Sequence, residues 1–300
     1  MRSDFRKTQK KLFSPRPPMK KSLPQILRLV VQHSRPRFRR YALGPFLIGA
    51  LTAATEPTLF LRREFRVRFG YFSLPANALI YGANDLADHD TDQHNPKKSG
   101  YEKLLQKSDH PKIILALTAL NLPFAALALR HGPRVLAALL GFRFFGLGYS
   151  LPPLRAKAVP ILDGIFNILY IFPAIFAATL FSTQISRIAI LAATLRCVAM
   201  HAFSAIPDIE ADRRAGLSTA ATFFGARGTL RYCRISRTLA AILSAQFLGR
   251  RAIFFGGIYS VLVLLAATRP IFAVYRRFPL VNFLAGMLLF FLIFFSQNFF

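Results

Sequence analysis

Thirteen acidic residues stand in this 300-residue chain, and they are not scattered. Asp85, Asp88, Asp90 and Asp92 crowd one short stretch, and Asp208, Glu210 and Asp212 crowd another. In the run Asn84-Asp85-Leu86-Ala87-Asp88-His89-Asp90-Thr91-Asp92, a continuing helix would put Asp85, Asp88 and Asp92 on one face, because they are spaced by three and four. Asn84 lies one turn before Asp88, and Asn77 and Tyr81 extend the same polar stripe backwards. In the second cluster Asp208 and Asp212 are one turn apart while Glu210 points the other way. His201 precedes Asp208 by two turns on their shared face.

Carboxylates stacked in this way repel. At ~5–6 Å and an effective dielectric of ~20, each like-charged pair costs ~3 kcal/mol, so a cation is expected between them. Oxygen donors without a Cys/His cluster at metal spacing suit a hard ion, and Mg²⁺ fits best. Mg²⁺ held by a few carboxylates completes its shell with water and phosphate oxygens. Basic residues follow both clusters, Lys97 and Lys98 after the first and Arg213 and Arg214 after the second. Between them lies Tyr149-Ser150-Leu151-Pro152-Pro153-Leu154-Arg155-Ala156-Lys157. Paired carboxylate sites with Arg and Lys on one side describe a pocket for a diphosphate with a greasy tail.

The elements that must carry these residues are membrane helices. Hydrophobic residues make up 53% and charged residues 18%, against roughly 25% charged in soluble chains; the mean hydropathy is +0.37. The apolar residues fall in runs near the ~20 residues that span a bilayer. About nine are expected, near 41–60, 69–88, 111–130, 133–151, 160–181, 187–207, 229–248, 252–268 and 278–298. The fold class expected is therefore an all-α, polytopic membrane bundle, with residues 1–40 a basic cytoplasmic segment and 41–300 a single membrane-embedded domain. Lys and Arg concentrate on the side of the N-terminus, which places that end and both acid clusters in the cytoplasm. Arg62, Arg63, Arg66 and Arg68 run against this trend, and Arg39, Arg143 and Arg196 stand where apolar residues would be comfortable. The net charge of +27 fits an anionic lipid surface, at ~1 kcal/mol per juxtamembrane basic residue. It does not indicate a nucleic-acid partner, since the basic residues are spread over many loops with no binding module. Cys197 and Cys233 form no pair motif, and no cleavable signal peptide is visible at the N-terminus.

At these motifs the chain resembles the UbiA superfamily of intramembrane prenyltransferases. The signature Asn-Asp-x-x-Asp-x-x-x-Asp is matched by Asn84, Asp85, Asp88 and Asp92, and the second Asp-x-x-x-Asp with a following Gly by Asp208, Asp212 and Gly216. Tyr149, Ser150, Pro153, Arg155 and Lys157 match the connecting pattern, with Asp163 and Asn167 opening the next helix. The resemblance implies Mg²⁺ on Asp85, Asp88, Asp92, Asp208 and Asp212, and catalysis at Asp85, Asp88, Asp208, Asp212 and Tyr149. It implies substrate binding by Asn77, Tyr81, Asn84, Lys97, Lys98, Arg155, Lys157, Asp163 and Asn167. The partners implied are an allylic prenyl diphosphate and a lipophilic acceptor, in a plasma membrane. Ser34-Arg35-Pro36-Arg37-Phe38, Pro75-Ala76-Asn77 through Tyr81-Gly82 and Asn95-Pro96-Lys97-Lys98 look closest to the lycopene elongase branch, which adds a dimethylallyl unit to a carotenoid. Prenylation of an aromatic or quinone precursor by a longer donor stays open, as does a transporter or binder of isoprenoid diphosphates.

Overall fold

A computed structural model gives the structure and describes residues 22–93 and 102–297; these are helical, with no strand among them. The longer helices are α1 (Leu23–His33), α2 (Arg40–Ala53), α3 (Arg63–Ser73), α4 (Pro75–Ala87), α5 (His110–Arg130) and α6 (Pro133–Ser150). They continue as α7 (Phe172–Leu180), α8 (Arg187–Ala205), α9 (Ile209–Arg214), α10 (Ala220–Leu248), α11 (Arg251–Thr268) and α12 (Ile271–Ser296). Five helical runs, Lys107–Arg130, Leu162–Leu180, Arg187–Arg214, Arg251–Thr268 and Ile271–Ser296, are long and apolar enough to cross a membrane. Their outward faces carry Leu115, Leu122, Leu129, Ile253 and Phe295, all exposed, and in a bilayer such a surface meets lipid instead of water. The protein is an integral membrane protein.

Two cores hold the bundle. Phe46, Phe72, Phe142 and Phe176 interlock α2, α3, α6 and α7, and Phe203, Cys233, Phe255 and Phe278 join α8, α10, α11 and α12. In the first, α2 and α7 meet through Gly49, where any Cβ would overlap the backbone of Ala174. A smaller cluster of Val30, Ala78, Leu105, Ile113 and Leu117 packs α1 onto α4 and α5. α1, which precedes residue 40, is packed onto the bundle through this cluster.

Each predicted stretch holds helix among the described residues, but four differ in form. The first ends at Ala53 instead of continuing to 60, and Glu56-Pro57 leads into a 3₁₀ turn, Pro57–Leu61. The second is broken: Leu74 leaves the helical region (φ −138°, ψ −62°) and Pro75 starts α4 afresh, as a proline without an amide and with a restricted predecessor requires. The four arginines read as loop residues belong largely to α3, where Arg68 is buried and lies 2.7 Å from Nε2 of His131. The fifth stretch opens as a short helix and a 3₁₀ run, Phe166–Ile171, before α7. The seventh begins nine residues early, at Ala220, with a kink at Gly225 (φ 66°).

Candidate active site

The end of α4 supplies the first acids. The helix stops at Ala87, Asp88 takes φ −103° and ψ 6°, and a short turn follows at His89–Asp92. Asp85 and Asp88 accordingly face different protein partners. Asp85 is only 3% exposed; its Oδ2 lies 2.7 Å from His33 Nδ1 and its Oδ1 accepts from Arg35 Nη2 at 2.9 Å. Arg35 also donates to Asn84 Oδ1 at 3.2 Å, pairs with Glu102 at 3.2 Å, and lies 5.0 Å above the Tyr81 ring. Asp88 binds Lys157 through Oδ1, with Arg155 at 3.8 Å, and its Oδ2 accepts from Asn84 at 2.9 Å. Asn84 further donates to Ser150 Oγ at 3.1 Å, tying α4 to the end of α6. Asp92 is buried close by.

The acids of the first cluster thus pair with basic residues of the same chain. Burial alone would lower the pKa of the Arg35 guanidinium, but the charges of Asp85 and Glu102 outweigh it and hold the group above the ordinary arginine range. Lys157 has the opposite balance: burial lowers it more than Asp88 restores it. Both arginines at the first cluster sit in left-handed backbone, Arg35 at φ 46° and Arg155 at φ 38°. Non-glycine residues there store ~1–3 kcal/mol and persist only where the surroundings over-determine them. Here the carboxylates do so.

The second cluster ends α8. Asp208 closes a 3₁₀ turn and Asp212 lies on α9, both half-buried, whereas Glu210 is exposed and pairs with Arg213 at 3.4 Å. Gly216 (φ 69°) terminates α9 as Leu217 N–H returns to Asp212 C=O at 2.8 Å, the helix stop for which glycine is favoured. Tyr149 lies in the field of Asp88, Asp163 and Asp212, so the two clusters and the connecting segment converge on its ring. Asp163 is fully buried and accepts the amides of Gly164 at 2.8 Å and Ala220 at 2.9 Å. Asn167 donates to the Asp163 carbonyl at 2.7 Å.

Of the predicted site residues, Asn84, Asp85, Asp88, Asp92, Tyr149, Arg155, Lys157 and Tyr81 are gathered with the second-cluster acids at one end of the bundle. Tyr81 hydrogen-bonds Tyr170 at 2.9 Å. Asn77 is not among them: it is fully buried and donates to the Phe72 carbonyl at 2.8 Å, bridging the α3–α4 break. Lys97 and Lys98 lie outside the described residues. The residues the sequence reading missed are His33, Arg35 and Glu102; the phrase Ser34-Arg35-Pro36 was its only sign of them.

Among the described residues, no three His, Cys, Asp or Glu side chains stand close enough to share one ion. The donors nevertheless fit a hard divalent cation, because they are carboxylate oxygens at the mouth of a dry bundle. Mg²⁺ needs only one or two of them when phosphate and water fill its other positions.

Known proteins resemble this chain. A lycopene elongase/hydratase of Haloarcula japonica is 40% identical over 230 residues, 76% of each chain. That of Haloferax volcanii is 37% identical over 261 residues, 85% of each. A UbiA homologue from Archaeoglobus fulgidus, solved with DMAPP and Mg²⁺, superposes with a TM-score of 0.67 at 20% identity, covering 86% of this chain and 99% of that one. The profile of the UbiA prenyltransferase family matches residues 42–296, nearly the whole bundle from α2 to α12. With its acid clusters and basic residues at one end of a helical membrane bundle, the chain belongs to the UbiA prenyltransferase family.

Proposed function

We propose that this prenyltransferase moves a dimethylallyl group from its diphosphate to the end of a carotenoid such as lycopene, within the membrane and with Mg²⁺. The observation that carries the acceptor is the 40% identity to a lycopene elongase/hydratase over 76% of both chains. Supporting the donor is the convergence of Asn84, Asp85 and Asp88 with Arg35, Arg155 and Lys157. In this reading one or two carboxylates from Asp85, Asp88 and Asp92, and one or two from Asp208 and Asp212, would hold Mg²⁺ together with the diphosphate oxygens, and the metal would supply charge that stabilises the departing diphosphate. Arg35, Arg155 and Lys157 turn from the carboxylates to the phosphate oxygens, and the Tyr149 hydroxyl donates to one of them.

The C–O bond of the donor then breaks, its electron pair leaving with the diphosphate, and an allylic cation remains. The electron-rich terminal carbon of the acceptor attacks it, forming a C–C bond. The apolar bundle excludes bulk water, which would otherwise convert the cation to an alcohol. The active face and the N-terminus lie on the cytoplasmic side of a plasma membrane, in line with the basic residues there.

The test is expression in a bacterium that accumulates lycopene, followed by mass spectrometry of its carotenoids. Species heavier by one or two C₅ units, with or without added water, are expected. An unchanged lycopene pool, with the protein shown to be in the membrane, would refute the carotenoid acceptor and leave the diphosphate site standing.

A further inference from the structure

Two groups that the transfer step leaves unused, Asp163 and His201, meet beside Tyr149. Asp163 is fully buried and pinned by the amides of Gly164 and Ala220. Beside it stands His201 of α8, its Nε2 3.5 Å from Asp163 Oδ2. That nitrogen is buried and has no hydrogen-bond partner, while the side chain as a whole keeps 15% of its surface. The Tyr149 ring stands edge-on to the imidazole with centroids 5.6 Å apart, and the neighbouring Ser150 accepts from Asn84 of the first cluster. The imidazole therefore lies against Tyr149, next to the residue that Asn84 of the first cluster holds, with a carboxylate fixed by two amides beside it.

A carboxylate facing one imidazole nitrogen sets the tautomer and stabilises the imidazolium, leaving the other nitrogen to take a proton. At 3.5 Å Asp163 Oδ2 lies just beyond a formed hydrogen bond to Nε2; with Nε2–H turned to that carboxylate, Nδ1 would be the accepting atom. Two described histidines near the first cluster are committed elsewhere, His33 to Asp85 and His89 to the Leu105 carbonyl.

We propose that His201 is the general base of the reaction and Asp163 its positioning residue, an inference that rests on the carotenoid reading above. Once the new C–C bond has formed, the acceptor end carries the positive charge and one proton must leave. If the product is an alkene, the proton comes from the carbon beside the cationic centre. If water adds instead, it comes from that water and the product is an alcohol. In both cases the electron pair of the broken C–H or O–H bond stays with the product and the proton passes to Nδ1.

The experiment uses the full chain in lipid nanodiscs with lycopene, dimethylallyl diphosphate and Mg²⁺, following diphosphate release and lycopene consumption together. His201→Gln and His201→Asn each place a non-basic amide near one ring nitrogen, and whichever variant inserts and folds serves. Lycopene consumption is expected to fall ~10²–10⁴-fold, with the donor KM within about threefold of the wild-type value. Diphosphate release should then exceed lycopene consumption, the excess appearing as a C₅ alcohol. A purely structural role would not produce that uncoupling. Turnover within about threefold of the wild type, or a matched loss of donor binding and turnover at one-to-one coupling, would overturn the proposal. Wild-type protein that releases diphosphate without consuming lycopene would refute the acceptor reading and this inference with it.

Discussion

Asp85 separates a structural role from a catalytic one within a single side chain. It is 3% exposed and accepts from both Arg35 and His33, so Asp85→Asn removes one charge and weakens two hydrogen bonds. Hydrogen bonds to charged groups are worth ~1.5–3 kcal/mol each, but Glu102 stays 3.2 Å from Arg35 and keeps the guanidinium from being stranded. The expected loss of stability is therefore about 2–3 kcal/mol, short of the ~3–5 kcal/mol of a buried charge left alone. Turnover should fall much further, by at least ~10²-fold, because a lost ligand at a developing charge is felt mainly in the transition state.

Arg35→Ala and the double variant Arg35→Ala/Asp85→Asn complete a cycle read by thermal unfolding in detergent and by diphosphate release. In stability the two sites should couple by ~1.5–3 kcal/mol, as contacting residues do. In activity the double variant should stay as inactive as Asp85→Asn. If Asp85 served only to neutralise Arg35, removing both would restore turnover. A double variant within about threefold of the wild-type rate would refute the assignment of Asp85 as a metal and diphosphate residue.

At the second cluster, Asp208→Asn should lower kcat by at least ~10²-fold while membrane insertion, measured by fractionation, is unchanged. Chelation with EDTA should abolish diphosphate release, and Mg²⁺ added back should restore it; turnover that survives chelation would exclude the metal reading. Gly49→Ala drives a methyl into the Ala174 backbone, whereas Gly286→Ala meets nothing. The first should lower the unfolding midpoint, by ~1–3 kcal/mol as over-packing does. The second should leave it unchanged or raise it, as helical Gly→Ala commonly does.

The acid clusters and the connecting Tyr149–Lys157 segment were legible because they are local patterns, and their chemistry follows from residue types over a few turns. The apolar stretches were legible for the same reason. What escaped was tertiary. His33 and Arg35 reach Asp85 across 52 and 50 positions, from the end of a short helix and the residues after it, in a stretch that composition reads as a basic cytoplasmic segment. Asp163 fastens Ala220 across 57 positions, and no local spacing announces that tie. The break at Leu74–Pro75 was visible as a proline, yet it lies inside an apolar run where length outweighed it in the reading. Asn77 looked like the inner end of a polar stripe because helical spacing from Asp85 puts it there. The break frees the Phe72 carbonyl, and the amide is drawn to that acceptor.

Arg143 and Arg196, both inside predicted spans, show how far a bundle can depart from a residue-by-residue hydropathy scale. On insertion scales each costs ~2.5–3.5 kcal/mol at mid-membrane. Arg143 turns inward and donates to the Asn121 carbonyl at 2.7 Å. Arg196 donates to the Tyr259 hydroxyl with its guanidinium 4.6 Å from that ring, and Tyr259 passes the bond to Asn282 at 2.7 Å. Arg237, on α10, covers the other side of the same aromatic cluster, 4.7 Å from Tyr259 and 5.3 Å from Phe278. A desolvated cation–π contact contributes ~2 kcal/mol or more, so the rings beside Arg196 and Arg237 offset most of their insertion cost. Those two charges are tolerated because Tyr259 of α11 and Phe278 of α12 are buried against them, and the same sequence with those rings turned to lipid would not support them.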